Sequence, residues 1–251
     1  DWNTDTYRNS SILNYIPAIQ AITAANGYVV RLGDPSMVKL PALDRLIDYA
    51  HSGDRSEVMD LYLIRECRFF VGTVSGPIEV AWLFQRPVLG TNQIDWISYF
   101  PRKAGDRAIL KHVYSRANQR FLSLQEVLEH PEFSLYGLGE AYEQDYEVAE
   151  NSPAELRDAV LEFMEGLEAG PGRACSPLQE EFNRRRKLRL REWVVDPGTT
   201  FSRDPCEDVI QRYRHAAADS FAGALGERFL EANWFRDSPT EDAAENSPAR
   251  A

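Results

Sequence analysis

Apolar residues in the N-terminal part of the chain switch between two spacings. Ile12, Ile16, Ile19 and Ile22 recur at three and four, the rhythm of an amphipathic helix, and Asn26-Gly27 supplies a left-handed stop. Tyr28 to Leu32 is a continuous β-branched run that predicts a strand, closed by the turn residues Gly33-Asp34-Pro35-Ser36. A second short strand is expected at Arg45 to Ala50, after a stretch in which Pro35 and Pro41 oppose helix. Ser56 reads as the N-cap of a following helix with Val58, Leu61, Ile64 and Cys67 on one face.

The alternation continues with a strand at Arg68 to Thr73, a helix at Pro77 to Phe84 and a strand at Arg86 to Asn92. Continuous apolar strands interleaved with helices predict an α/β fold: a parallel sheet with helices on both faces. Tyr146 to Glu150 reads as a late strand, and Ser152-Pro153-Ala154-Glu155 combines an N-cap serine, a proline at the first helical position and a glutamate at the third. Leu156, Val160, Phe163 and Leu167 mark the apolar face of that helix, and Gly170-Pro171-Gly172 ends it. The expected organisation is an α/β unit over 1–169, a helical C-terminal extension over 170–236 with a helical stretch near Phe221 to Trp234, and a disordered tail over 237–251. The chain shows no internal repeat.

Composition narrows the classes. Of 251 residues, 43% are apolar, enough for a folded core, and no run approaches the roughly 20 apolar residues of a spanning helix. The expectation is a cytoplasmic protein. A formal charge of −11 opposes attraction to a polyphosphate backbone, which argues against nucleic acid as a partner. The three cysteines, Cys67, Cys175 and Cys206, form no metal-type spacing; Cys67 reads as a small buried hydrophobe, and neither a metal nor a cofactor is expected. Arg184, Arg185, Arg186, Lys187, Arg189 and Arg191 form a basic run with two readings: a solvated helix face, or a contact with anionic lipid that would place the protein peripherally at the inner membrane surface.

The chemistry concentrates where a buried strand gives way to a helix, at Gly72-Thr73-Val74-Ser75-Gly76-Pro77. Such a turn lies at the carboxyl end of a parallel sheet, where ligands of open α/β folds bind. Gly72 and Gly76 would open the backbone to approach, Thr73 and Ser75 offer hydroxyls, Pro77 fixes helix entry, and the helix-start N–H groups favour an anion. The alternative is a tight turn with Ser75 as an ordinary cap. Arg31 and Asp34, at the end of the earlier strand, read as a phosphate grip and a hydroxyl acceptor, or else as a surface pair. His51 and Asn92 occupy equivalent rim positions, as contacts or as plain loop residues. Paired carboxylates such as Asp48 with Asp54, or Glu140 with Glu143, read as solvated surface, and Trp82 and Phe84 as core.

The segments Tyr7-Arg8-Asn9, Asn14 to Ile19, Arg31 to Met37, Ile47 to Ser52 and Phe69 to Pro77 closely resemble a bacterial glycosyltransferase family of GT-B type, distantly similar to heptosyltransferases and fucosyltransferases. The resemblance is strong from Thr6 to about Asn92, weak at Glu150 to Pro153, and scarcely reaches the tail. It implies two facing Rossmann-like domains, of which this chain resembles the C-terminal, donor-binding half, with the nucleotide-sugar diphosphate held by Arg31, Thr73, Ser75, Gly76 and Pro77. The chain departs from the family in lacking a strand with a His-x-Arg segment upstream of Arg8, so an N-terminal domain is expected to be missing and no catalytic base is named. The activity implied is transfer of a sugar from a nucleotide-diphosphate donor to a glycan or other hydroxyl acceptor, in bacterial surface polysaccharide biosynthesis. A nucleotide-sugar epimerase and a noncatalytic nucleotide-binding or scaffold module remain as alternatives.

Overall fold

The computed structural model describes residues 9–94, 101–129, 145–170, 175–195 and 223–235. Tyr7, Arg8, Glu140, Glu143, Cys206, Phe221 and the tail 237–251 lie outside them. The first helix opens with a 3-10 turn at Ile12–Tyr15 and continues as α1 (Ile16–Ala24); Asn26, at φ 63°, supplies the left-handed stop. Strand β1 (Val29–Val30) pairs in parallel with β2 (Leu46–Ile47). Both are shorter than their apolar runs. The segment expected to be strand through Ala50 instead turns at Asp48 into a 3-10 helix, Tyr49–His51. The Asp48 carboxylate accepts from the Leu40 N–H at 3.0 Å and meets the His51 ring at 3.0 Å, which bends the chain away from extended pairing.

Among the described residues the main sheet has four parallel strands, in the order β3 (Phe70–Gly72), β4 (Val88–Gln93), β5 (Arg107–Leu110), β9 (Ala224–Leu225). Side chains alternate faces along a strand, so neighbours in β4 report on opposite layers. Val88 packs with Ile64 of α2 (Glu57–Glu66) and with Ile78, Ala81 and Trp82 of α3 (Gly76–Leu83). Leu89 packs instead with Ala18 of α1 and with Leu156, Val160 and Phe163 of α5 (Pro153–Ala169). Helices therefore cover both faces, as the sequence pattern predicts.

Local signals act where the sequence places them. The Ser56 hydroxyl accepts from the Met59 N–H at 3.2 Å, and Ser152 with Glu155 forms the reciprocal capping box of α5. The apolar face expected of α2 is realised only in part: Ile64 is buried, but Val58 is 78% exposed and Leu61 is exposed as well.

Tyr146–Ala149, β8, is a strand but joins a separate antiparallel sheet in the order β7 (Arg120–Phe121), β6 (His112–Ser115), β8. In that sheet His112 donates into the Glu155 carboxylate at 2.8 Å and lies against the rings of Phe121 and Phe229.

The chain beyond Gly170 shares this core. Helix α6 (Pro177–Val195) buries Phe182, while α7 (Glu227–Trp234) buries Phe229, Leu230 and Trp234 in the same layer as Leu89. Strand β9 pairs with β5, so the boundary expected at Ala169 falls within the sheet and the core. Glu162 of α5 secures the return: its carboxylate oxygens accept from the Glu227 N–H at 2.6 Å and the Arg228 N–H at 3.0 Å. Gly226, the N-cap of α7, has no side chain to perform that task.

Candidate functional site

Strand β3 delivers its last residue, Gly72, to the carboxyl edge of the sheet, and α3 starts at Gly76. Between them Thr73 and Val74 are half-buried, while Ser75, Gly76 and Pro77 are exposed. The two glycines serve different purposes. A Cβ on Gly72 would lie 2.7 Å from the Phe70 ring, so its smallness accommodates an internal contact. A Cβ on Gly76 would meet nothing within 4 Å, so that position faces open space.

Ser75 is the N-cap of α3 by backbone geometry, yet its side chain caps nothing. Its hydroxyl donates to the Thr73 carbonyl at 3.2 Å. Ser56, Ser123, which precedes α4 (Leu124–Glu129), and Ser152, at comparable positions, each accept from a backbone N–H three residues on. The start of α3 therefore presents its dipole and the Gly76 backbone to the exterior without a hydroxyl drawn across it.

Arg31 is not the outward phosphate grip expected of it. Its side chain is buried, with the residue 6% exposed, and its guanidinium donates to Asp48 Oδ1 at 3.1 Å. Burial opposes the charge on Asp48, but the Leu40 N–H and the Arg31 guanidinium outweigh it and hold the carboxyl below its ordinary range. His51 lies in the same cluster, one ring nitrogen on Asp48 and the other 3.1 Å from the Met37 carbonyl oxygen. These residues tie the loop after β1 to the turn after β2. Asp34 is exposed, but it accepts from the Ser36 N–H at 2.9 Å, and that bond lowers its pKa. It closes its own turn.

Asn92 is likewise an interior residue. It is 1% exposed at φ 51°, accepts from the Asn151 N–H at 2.7 Å, and donates to the Tyr15 hydroxyl at 3.0 Å. Tyr15 shares a 2.7 Å hydrogen bond with Thr91, and burial raises its pKa. Buried Lys111 donates to the Asn9 carbonyl. Burial lowers its pKa, and nearby Glu150 opposes that shift. The carboxyl ends of β4 and β5 thus meet the segment from Asn9 to Tyr15, and among the described residues the uncovered part of this edge lies at the β3–α3 turn.

Sequence reasoning missed Asp48 as the partner of Arg31, and it missed Gln93. The signal for Gln93 was available: Thr91-Asn92-Gln93 puts three polar residues in succession at the end of a strand that is buried throughout. Gln93 is 0% exposed, and its amide nitrogen donates to the carbonyls of Thr91 at 3.0 Å and Gly72 at 3.4 Å.

The basic run does not form one face. Arg186 is 0% exposed and cannot meet a lipid head group. Arg184 and Arg185 both bind Glu181, and Arg185 also reaches Glu129 and the Trp234 ring. The side chains of Arg189 and Arg191 lie outside the described residues. Among the described residues no helix is long and apolar enough to cross a membrane, and no group of three or more His, Cys, Asp or Glu could hold a metal ion. Comparison with protein-family models, with curated proteins and with solved structures finds no match.

Proposed function

We propose that this chain is the donor-binding part of a glycosyltransferase, a Rossmann-like unit of GT-B type that holds the diphosphate of a nucleotide sugar at the β3–α3 turn. The observation that carries the reading is the open helix start: Gly76 faces free space and the Ser75 hydroxyl is turned back to Thr73. A bound diphosphate would take the place that a cap occupies at the other serine-led helices. As the bond from the anomeric carbon to the diphosphate breaks, negative charge grows on the leaving oxygens. Amide dipoles already aimed at that point lower the barrier without reorganising. Thr73 and Ser75 supply hydroxyls beside them. The Arg31–Asp48–His51 cluster would act indirectly, by fixing the loop that borders the turn.

Calorimetry with nucleoside diphosphates and their sugars tests the reading. Gly76→Leu places a side chain into the open space without an internal clash, and is expected to weaken binding at least tenfold while the thermal midpoint holds. Unchanged affinity would remove the phosphate assignment. Release of nucleoside diphosphate only when a hydroxyl acceptor is added would establish transfer; an isomerised nucleotide sugar formed without acceptor would identify an epimerase instead.

A further inference from the structure

Gln93 stands out among the buried polar residues near the carboxyl edge. Its carboxamide folds back over Gly90 and Gly72, which are cross-strand partners in β4 and β3. A Cβ on Gly90 would lie 3.0 Å from the Gln93 amide nitrogen, so the glycine there makes room for this side chain. The nitrogen is satisfied by two carbonyls, whereas Oε1 is buried and has no hydrogen-bond partner among the described residues. An acceptor left unpaired in the interior destabilises the fold unless a partner is supplied. The carboxamide that carries this orphan reaches, through its nitrogen, the carbonyl of Gly72, the residue from which the β3–α3 turn departs.

We infer that Gln93 Oε1 is a specificity contact of the phosphate site: it accepts a hydrogen bond from a hydroxyl of the bound ligand. This rests on the reading of the β3–α3 turn as a phosphate site and names the ligand class further. A lone acceptor beside an anion site repels a bare phosphate oxygen and is satisfied only by a donor. The ligand is therefore a phosphate ester whose sugar hydroxyl lies close to the phosphate, and inorganic pyrophosphate is a poor substitute. A buried polar group that must be paired discriminates against a ligand lacking the partner. The contact between the Gln93 nitrogen and the Gly72 carbonyl is long at 3.4 Å, and the Thr91 hydroxyl also reaches that carbonyl at 3.4 Å. The carboxamide can thus turn toward the ligand while Gly72 keeps a donor.

The test measures binding of pyrophosphate, the four common nucleoside diphosphates, the 2′,3′-dideoxy form of the tightest of these, and its glucose ester. Wild-type protein is compared with Gln93→Met and Gln93→Leu, each first checked for an intact thermal transition. The expected result is that the wild type prefers the hydroxylated ligands to pyrophosphate. Either substitution should weaken the hydroxylated ligands roughly three- to tenfold, as one hydrogen bond predicts, and leave pyrophosphate unchanged. If the hydroxyl belongs to ribose, the dideoxy ligand loses the same factor and the substitutions cost it nothing more; if it belongs to the transferred sugar, only the glucose ester is sensitive. Wild-type binding that is unaffected by Gln93, or reduced equally for pyrophosphate, overturns the contact while leaving the phosphate site standing. A wild type that binds none of the probes overturns both.

Discussion

Asn92 and Asn151 hold each other by the backbone: the side-chain oxygen of each accepts from the other's amide N–H, at 2.7 and 2.8 Å. Asn151 also donates to the Leu110 carbonyl at 2.7 Å, so the clasp joins the ends of β4 and β5 to the entry of α5. Removing either side chain orphans a buried N–H. Asn92→Gly preserves the left-handed backbone at this position and is expected to cost about 2 kcal/mol; Asn92→Ala adds strain and is expected to cost about 3 kcal/mol. Urea denaturation of both, with Asn151→Ala and the double variants, should show strong non-additivity.

Glu162 takes the role of cap for a helix it does not belong to. Glu162→Ala should destabilise the protein by about 1–2 kcal/mol, as loss of a helix cap does. Glu162→Gln, which keeps one acceptor, should recover part of the loss. Hydrogen exchange locates the effect: the amides of Glu227 and Arg228 should lose protection first.

The His112–Glu155 pair predicts an acid limb of stability. Burial raises the Glu155 pKa, but the His112 charge and hydrogen bond, with the Ser152 N–H and hydroxyl, outweigh it and carry the carboxyl from its ordinary 4.5 to about 2. A depressed acid stabilises the folded state when ionised, so its contribution is complete above pH 4.5 and is lost as the pH falls toward 2. The shift corresponds to stabilisation on the order of 3 kcal/mol. Glu155→Gln should flatten the pH dependence of the unfolding free energy across that window.

Two glycines should respond oppositely to a methyl group. Gly223→Ala would bring Cβ to 2.7 Å from the Pro101 carbonyl oxygen, a backbone atom that cannot swing away, and is expected to cost at least about 2 kcal/mol. Gly76→Ala enters open space and should change stability by less than about 1 kcal/mol in either direction. Thermal denaturation of the pair separates the two cases.

Features governed by neighbours in sequence were legible. Ser56, the Ser152–Glu155 box and the Asn26 stop depend on residues at most a few positions away, and each stands where it was read. Strands β5 to β7 escaped because Arg107, Lys111, His112 and Arg120 interrupt the apolar pattern there, and what makes these segments strands is their partners across the sheets. The same distinction divides the site. The exposed turn from Ser75 to Pro77 follows from local composition. The inward course of Arg31 depends on Asp48, seventeen residues away, and the burial of Asn92 on Asn151, fifty-nine away. An arginine at a strand end carries no local mark that a carboxylate from the turn after the next strand has already claimed it.

Because β9 lies against β5 although Ala224 follows Leu110 by more than a hundred residues, the nascent protein leaves the ribosome with its principal sheet unfinished. At ordinary elongation rates the exposed edge of β5 waits on the order of 10 s for its neighbour. During that interval a chaperone, or the same edge of another nascent chain, competes for the backbone of Arg107 to Leu110.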